Sequence, residues 1–273
     1  MKTLKNQTLL YDADCPLCRV YTKGFIDAGM LDANGKKPYC QLSEQEQSFV
    51  DVRRASNEIA LVDNENKTVV YGIDSLLKVI GFSFPWIQKV GQSQPIKFFL
   101  KKLYSFISFN RKVIIPNELN RATKLQCVPE FSFKYRWLYI AFACIVTSFV
   151  FNKFFNLIDV LPKSTITSGL ILVVGQLIFQ SLFLVKIDKK TIVSYLGNLM
   201  TVSLLGSLLL LPFLVLNSIF DIPQWVYFAW FALTLIAMFF EHSRRVKLLK
   251  MSSYLSITWV IYSIIVFTFI LNF

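Results

Sequence analysis

The chain has 273 residues, of which 54% are apolar, 26 are phenylalanine and only 17% are charged, against about a quarter charged in ordinary soluble proteins. The formal net charge of +12 does not by itself point to nucleic acid, because basic loops beside membrane spans are the ordinary topology signal and no recognition motif accompanies the charge. Charged, turn and apolar residues are mixed as far as Lys134, whereas long apolar runs with few acids follow Arg136. The sequence therefore divides into a soluble domain, 1–135, and a membrane domain, 136–273.

In chain order, "MKTLKNQTLLYDADC" is too polar for a cleavable secretory signal. Within it "QTLLYD" (7–12) reads as a short buried strand. Val20, Tyr21, Gly24, Phe25 and Ala28 then form a helical stripe, with Gly29 placed to cap the helix C-terminus. "PYCQL" (38–42) predicts a second strand, running into the capping box Ser43-x-x-Glu46 of a second helix. "EIALVD" and "KTVVYG" flank "NEN" as a β-hairpin, and the unbroken apolar run 59–62 predicts a strand covered on both faces. "DSLLKVI", ending at Gly81, predicts a third helix. The order β-α-β-α-β-β-α is an α/β arrangement of thioredoxin-like type. Residues 95–112, "PIKFFLKKLYSFISFNRK", form a basic amphipathic connector. It suits a helix lying on an anionic membrane surface or one covering the sheet.

Five stretches approach the about 20 apolar residues that a membrane-crossing helix needs, starting at Trp137, Ile166, Ile192, Trp225 and Tyr254. An all-α transmembrane bundle of about five spans is expected, with four spans as the alternative because the fourth stretch is short. Lys153, near the end of the first, can snorkel to the interface. The segments between spans alternate in charge. Arg121, Lys124, Lys134 and Arg136 precede the first, and Asp159 with Lys163 is neutral; "KIDKK" is basic, the loop around Asp221 acidic, and "EHSRRVKLLK" basic. The positive-inside rule then puts the N-terminal domain in the cytoplasm and Phe273 outside, across an inner or plasma membrane. Gln176, Gln180 and Asn198 read as interhelical hydrogen-bonding residues. His242 falls in the last basic loop, and Cys144 reads as packing.

The chemistry lies in Cys15 and Cys18, two residues apart between the first strand and first helix. A cysteine at a helix N-terminus gains thiolate character from the helix dipole and free N–H groups. Pro16 suits the first helical position, where its missing N–H costs nothing. Cys15 is therefore the expected nucleophile. Cys18, one turn on and less exposed, is the expected resolving thiol. A carboxylate near a thiol raises its pKa but can also shuttle a proton when a mixed disulfide resolves. Asp12 is the candidate for that role, and Asp14 is either an auxiliary group or only the helix cap. Cys40 reads as a packed thiol. Cys127, at the junction of the halves, either exchanges with the pair or packs. Cys15, Cys18, Cys40 and Cys127 are too irregularly spaced for a typical zinc site.

"YDADCPLC", with its D-x-x-C-x-x-C of Asp12, Cys15 and Cys18, resembles the DCC family of thiol-disulfide oxidoreductases. The likeness runs on through "IALVDNENKTVVYGIDSLL", "LYSFISFNRK" and "CVPEF", covering about residues 7–130. It implies a thioredoxin-like fold and a redox-active dithiol at Cys15 and Cys18. Some members of the family are similarly joined to membrane segments. Unlike thioredoxins, the chain has no proline before its third strand, where "ASNEIA" stands. "YGIDS" is loosely similar to the Gly-Asp turn with which glutaredoxins hold glutathione, and otherwise reads as a helix N-cap.

The expectation is a membrane-anchored thiol-disulfide oxidoreductase acting on protein or small-molecule disulfides and thiols. It touches lipid, binds no nucleic acid and needs no cofactor or metal. Two alternatives stand beside it. The dithiol domain could be a non-enzymatic module that senses redox state or binds metal, or the regulator of a transporter-like membrane domain. The scarcity of charge within the spans counts against the latter.

Overall fold

The strand predicted at residues 7–12 is β1 (Gln7–Tyr11), one of the two inner strands of a mixed sheet. In the computed structural model residues 2–116 and 129–272 are described, the backbone alone for 269–272. They divide into two units, Met1–Tyr135 and Arg136–Phe273.

In the first unit β1 pairs in parallel with β2 (Lys36–Pro38) and antiparallel with β3 (Ala60–Asp63). β4 (Thr68–Tyr71) pairs antiparallel with β3, giving the order β2-β1-β3-β4. Successive residues of a strand point to opposite faces, and here each face has its own core. Leu10, Ala60 and Val62 pack with Tyr39, Leu42, Val50 and Ala55. Leu9, Ile59 and Leu61 pack with Leu4, Leu31 and Val79, joined by Tyr21, Phe25, Leu76 and Tyr104. Two covered faces explain why residues 59–62 carry no polar alternation.

Several boundaries differ from expectation. The second strand comes earlier than 38–42, because Pro38 has no N–H with which to continue the ladder. The chain turns there into a 3-10 helix (Tyr39–Gln41), and Tyr39 enters the core with its hydroxyl donating to Val52 O at 2.9 Å. The Ser43/Glu46 capping box forms, but opens only a single turn, α2 (Glu44–Gln47); α3 (Val52–Asn57) follows, capped by Asp51. Before these, α1 spans Pro16–Asp27 and ends at Gly29, whose φ of +67° is the left-handed conformation of a C-terminal cap. Helix α4 (Ile73–Ser83) runs past Gly81 and stops where Pro85 opens α5 (Pro85–Gln92). The connector forms α6 (Gln94–Ile114). Its inner side meets the rest of the unit. Lys97 Nζ pairs with Asp74 at 2.8 Å, and Tyr104 accepts the Ile59 N–H at 2.8 Å.

The second part of the chain is helical: α7 (Phe133–Phe155), α8 (Ile166–Leu182), α9 (Lys189–Leu216), α10 (Gln224–Leu248) and α11 (Tyr254–Asn272). Three of these helices, α7, α9 and α10, are long and apolar enough to cross a membrane. At 17 residues, α8 is about 26 Å long, short of the about 30 Å hydrocarbon core. The aromatic cluster of Phe154, Phe155, Phe213, Tyr227 and Phe231 holds α7, α9 and α10 together. The segment expected as a basic loop, 241–250, instead continues α10 for two turns. His242 is accordingly buried within a helix, with Nε2 3.1 Å from the Tyr195 hydroxyl. That hydroxyl also donates to Gln180 Oε1 at 3.0 Å, and Arg245 donates to Asn198 Oδ1 at 2.9 Å. Of the amides read from sequence as interhelical links, Gln180 and Asn198 thus bond across helices, whereas the buried Gln176 Nε2 has no hydrogen-bond partner among the described residues.

Candidate active site

Where β1 ends, the chain turns on Asp12. Asp12 Oδ1 accepts the Asp14 N–H at 3.0 Å, and Asp12 O accepts the Cys15 N–H at 3.1 Å. Cys15, extended at φ −95° and ψ 110°, is the N-cap of α1, and Pro16 stands at the first helical position. Asp14 therefore does not cap the helix, and no side chain does; Asp12 shapes the turn, because its carboxylate is the one placed to accept the turn N–H. The sulfur of Cys15 sits at the positive end of α1, and Cys18 lies in its first turn.

The two thiols are unequal. Cys18 hydrogen-bonds to Cys15, and this above all pulls the Cys15 thiol down from 9.0 to about 6. Burial pushes Cys15 up; the Cys18 backbone N–H and the charge of Arg111 pull it down, and Asp12 pushes it up. The same hydrogen bond, with burial, pushes Cys18 far above its usual range. Of the pair, Cys15 is the thiol shifted toward its thiolate and Cys18 the one shifted toward keeping its proton. Their exposure reverses expectation. Cys15 is 1% exposed and Cys18 6%.

Asp12, itself only 4% exposed, faces two cations from α6. Arg111 Nη2 lies 3.4 Å and Lys112 Nζ 3.1 Å from Asp12 Oδ2. Arg111 is fixed from behind by donating to Ser56 O at 2.9 Å and to Asn57 O at 3.4 Å, and Ser108 Oγ also bonds to Asn57 O. The site thus joins three elements: the end of β1, the start of α1 and the end of α6. Arg111 and Lys112 were not among the residues singled out for chemistry, although both stand in the "LYSFISFNRK" stretch. Their signal is a basic pair at the end of a helix that covers the sheet, where its last turn meets the end of β1.

Among the remaining residues, Cys40 is half-buried in the 3-10 helix, and Cys127 lies outside the described residues. Cys144 is buried in α7 with its sulfur 3.4 Å from Met200 Sδ, a packing position. Among the described residues no three His, Cys, Asp or Glu side chains gather as a metal-binding group. Gly72, at φ +62°, is the N-cap of α4, and Ser75 Oγ donates back to its carbonyl at 2.7 Å. The neighbouring Asp74 is paired with Lys97 and Lys101, so "YGIDS" is a helix start. Comparison with protein-family models, with curated proteins and with solved structures finds no match for this chain.

Proposed function

We propose that the chain is a membrane-anchored thiol-disulfide oxidoreductase of thioredoxin-like fold. The observation that carries the reading is the placement of the two thiols: Cys15 is the N-cap of α1, with Pro16 at the first helical position and Cys18 in the first turn of the same helix, an arrangement that favours the Cys15 thiolate over that of Cys18. Several features support the fold. The strand order is β2-β1-β3-β4 with only β1 and β2 parallel. α1 and α4 pack on one face and the segment 39–55 on the other. The dithiol stands at the junction of the first strand and first helix. The DCC likeness of "YDADCPLC" agrees with all of these.

In the proposed reaction the Cys15 thiolate attacks one sulfur of a partner disulfide. The Cys15–partner bond forms, the partner's own S–S bond breaks, and one partner thiolate leaves. Cys18 then gives up its proton, with Asp12 as the buried carboxylate beside the pair to receive it. The Cys18 thiolate attacks Cys15, closing the Cys15–Cys18 disulfide and releasing the second partner thiolate. Two electrons pass to the partner, the leaving thiolates take up protons, and a reducing thiol of the cytoplasm restores the dithiol. The alternating loop charges favour five spans, a cytoplasmic N-terminal unit and an outer C-terminus. In that compartment the net direction is reduction of partners.

A Cys18→Ser chain treated with glutathione disulfide is expected to accumulate a mixed disulfide on Cys15, while the wild type releases it. Equal, slow modification of both chains would sink the enzymatic reading. The burial of both sulfurs favours a second reading, a dithiol that senses redox state and turns over no partner. It is favoured instead if the pair oxidises reversibly but never reduces a partner catalytically.

A further inference from the structure

Between Asp74 and Glu118 the chain contains no acidic residue, yet it carries Lys78, Lys89, Lys97, Lys101, Lys102, Arg111 and Lys112. α6 occupies the middle of that stretch and divides it by face. Lys97, Tyr104, Ser108 and Arg111 point inward to Asp74, Ile59, Asn57 and Asp12. The outward side presents Phe98 and Phe99, each 64% exposed, with Ile96, Leu103 and Ile107 also exposed. Lys102 extends over the Phe98 ring at 5.4 Å. A 21-residue helix about 31 Å long, with aromatic side chains outward and Lys102 among them while Lys97, Lys101, Arg111 and Lys112 pair with Asp74 and Asp12 on the inner side, matches a helix lying in a membrane interface. Aromatic rings favour that depth, and lysine stems reach past them to the headgroups.

The far end of α6 bears on which surface covers this face. Phe109 stacks on Tyr135 with ring centroids 4.9 Å apart and planes 8° apart, and Asn110 Nδ2 donates to Tyr135 O at 3.0 Å. Tyr135 belongs to the first turn of α7, a helix long and apolar enough to cross a membrane. The C-terminal end of α6 is thus tied to the last residue of its own unit, where the chain enters α7. A second copy of the same face is disfavoured, because both partners would be basic and neither would offer an acid.

We infer that the outward face of α6, through Phe98, Phe99, Lys102 and Leu103, docks on an anionic lipid surface and lays the dithiol unit on the membrane. The inference rests on the membrane part of the proposed function and not on its redox chemistry. It is tested on the full chain in nanodiscs of three parts phosphatidylcholine to one part phosphatidylglycerol. Benzoylphenylalanine is placed at position 99, at position 145 in α7, or at position 64 in the exposed hairpin turn, and irradiated. Lipid adducts at 99 and 145, several-fold above those at 64, are expected. Lys102→Glu, or discs of phosphatidylcholine alone, should lower the yield at 99 several-fold and leave 145 unchanged. Adducts at 145 without adducts at 99 overturn the docking alone, and adducts at neither overturn the membrane reading itself. Adducts from 99 to a second protein chain, or a yield at 99 indifferent to charge, also overturn the inference.

Discussion

At the scale of single residues, Cys15 is held by opposing influences whose signs can be separated by substitution. Its reactive form is the thiolate, so its alkylation rate should rise with pH through an inflection at about 6 and level off beyond that. Arg111 favours the thiolate and Asp12 opposes it. Arg111→Gln should therefore move the inflection up, and Asp12→Asn should move it down, both read from the pH dependence of iodoacetamide labelling. If Asp12 also receives the Cys18 proton, Asp12→Asn should in addition lengthen the life of a Cys15 mixed disulfide. An effect on the inflection alone would leave Asp12 an electrostatic role only. Either change strips a partner from a buried ion pair, which typically costs about 3–5 kcal/mol. Labelling is therefore read below the lowered unfolding temperature. The placement of Cys15, Pro16 and Cys18 at the start of α1 was legible because a helix start is set by local spacing. Arg111 and Lys112 were not, since only the folding of α6 back across the unit brings them to Asp12.

At the scale of elements, the strands with unbroken apolar runs and the hairpin were legible, because burial on both faces leaves a direct mark on residues 59–62. Leu61 is 1% exposed in the core beneath α1 and α4. Leu61→Ala should cost about 2–5 kcal/mol, read as faster hydrogen exchange of β1 and β3 amides. The second strand and the end of α4 were misplaced because a proline decided each, Pro38 against strand propagation and Pro85 against the helix continuing. The true length of α10 was hidden for a different reason. Its last turns are charged, and only burial against neighbouring helices makes Arg245 and His242 helical interior residues. Gly169 marks another such approach: a Cβ there would lie 2.9 Å from the Ser148 carbonyl of α7. Gly169→Val should wedge α7 from α8 and cost about 1–3 kcal/mol, seen as a lower melting temperature in detergent, with a smaller loss for Gly169→Ala.

At the scale of the whole molecule, the division near residue 135 was legible in composition alone, since charge thins out where the long apolar helices begin. The number of crossings was less so. Five apolar stretches give five helices, of which three have the length and apolarity to span a bilayer; the charge alternation requires an odd number. A reporter active only outside the cytoplasm, fused after Phe273, should be active, and one fused before residue 2 silent. The chemistry is tested most directly by equilibrating the full chain in glutathione buffers of graded potential and mapping its cysteines by mass spectrometry. A single two-electron transition that joins Cys15 to Cys18, with Cys40 and Cys144 remaining thiols, is the expected result. Independent titration of Cys15 and Cys18, or a pair that never closes on itself, would contradict the dithiol mechanism.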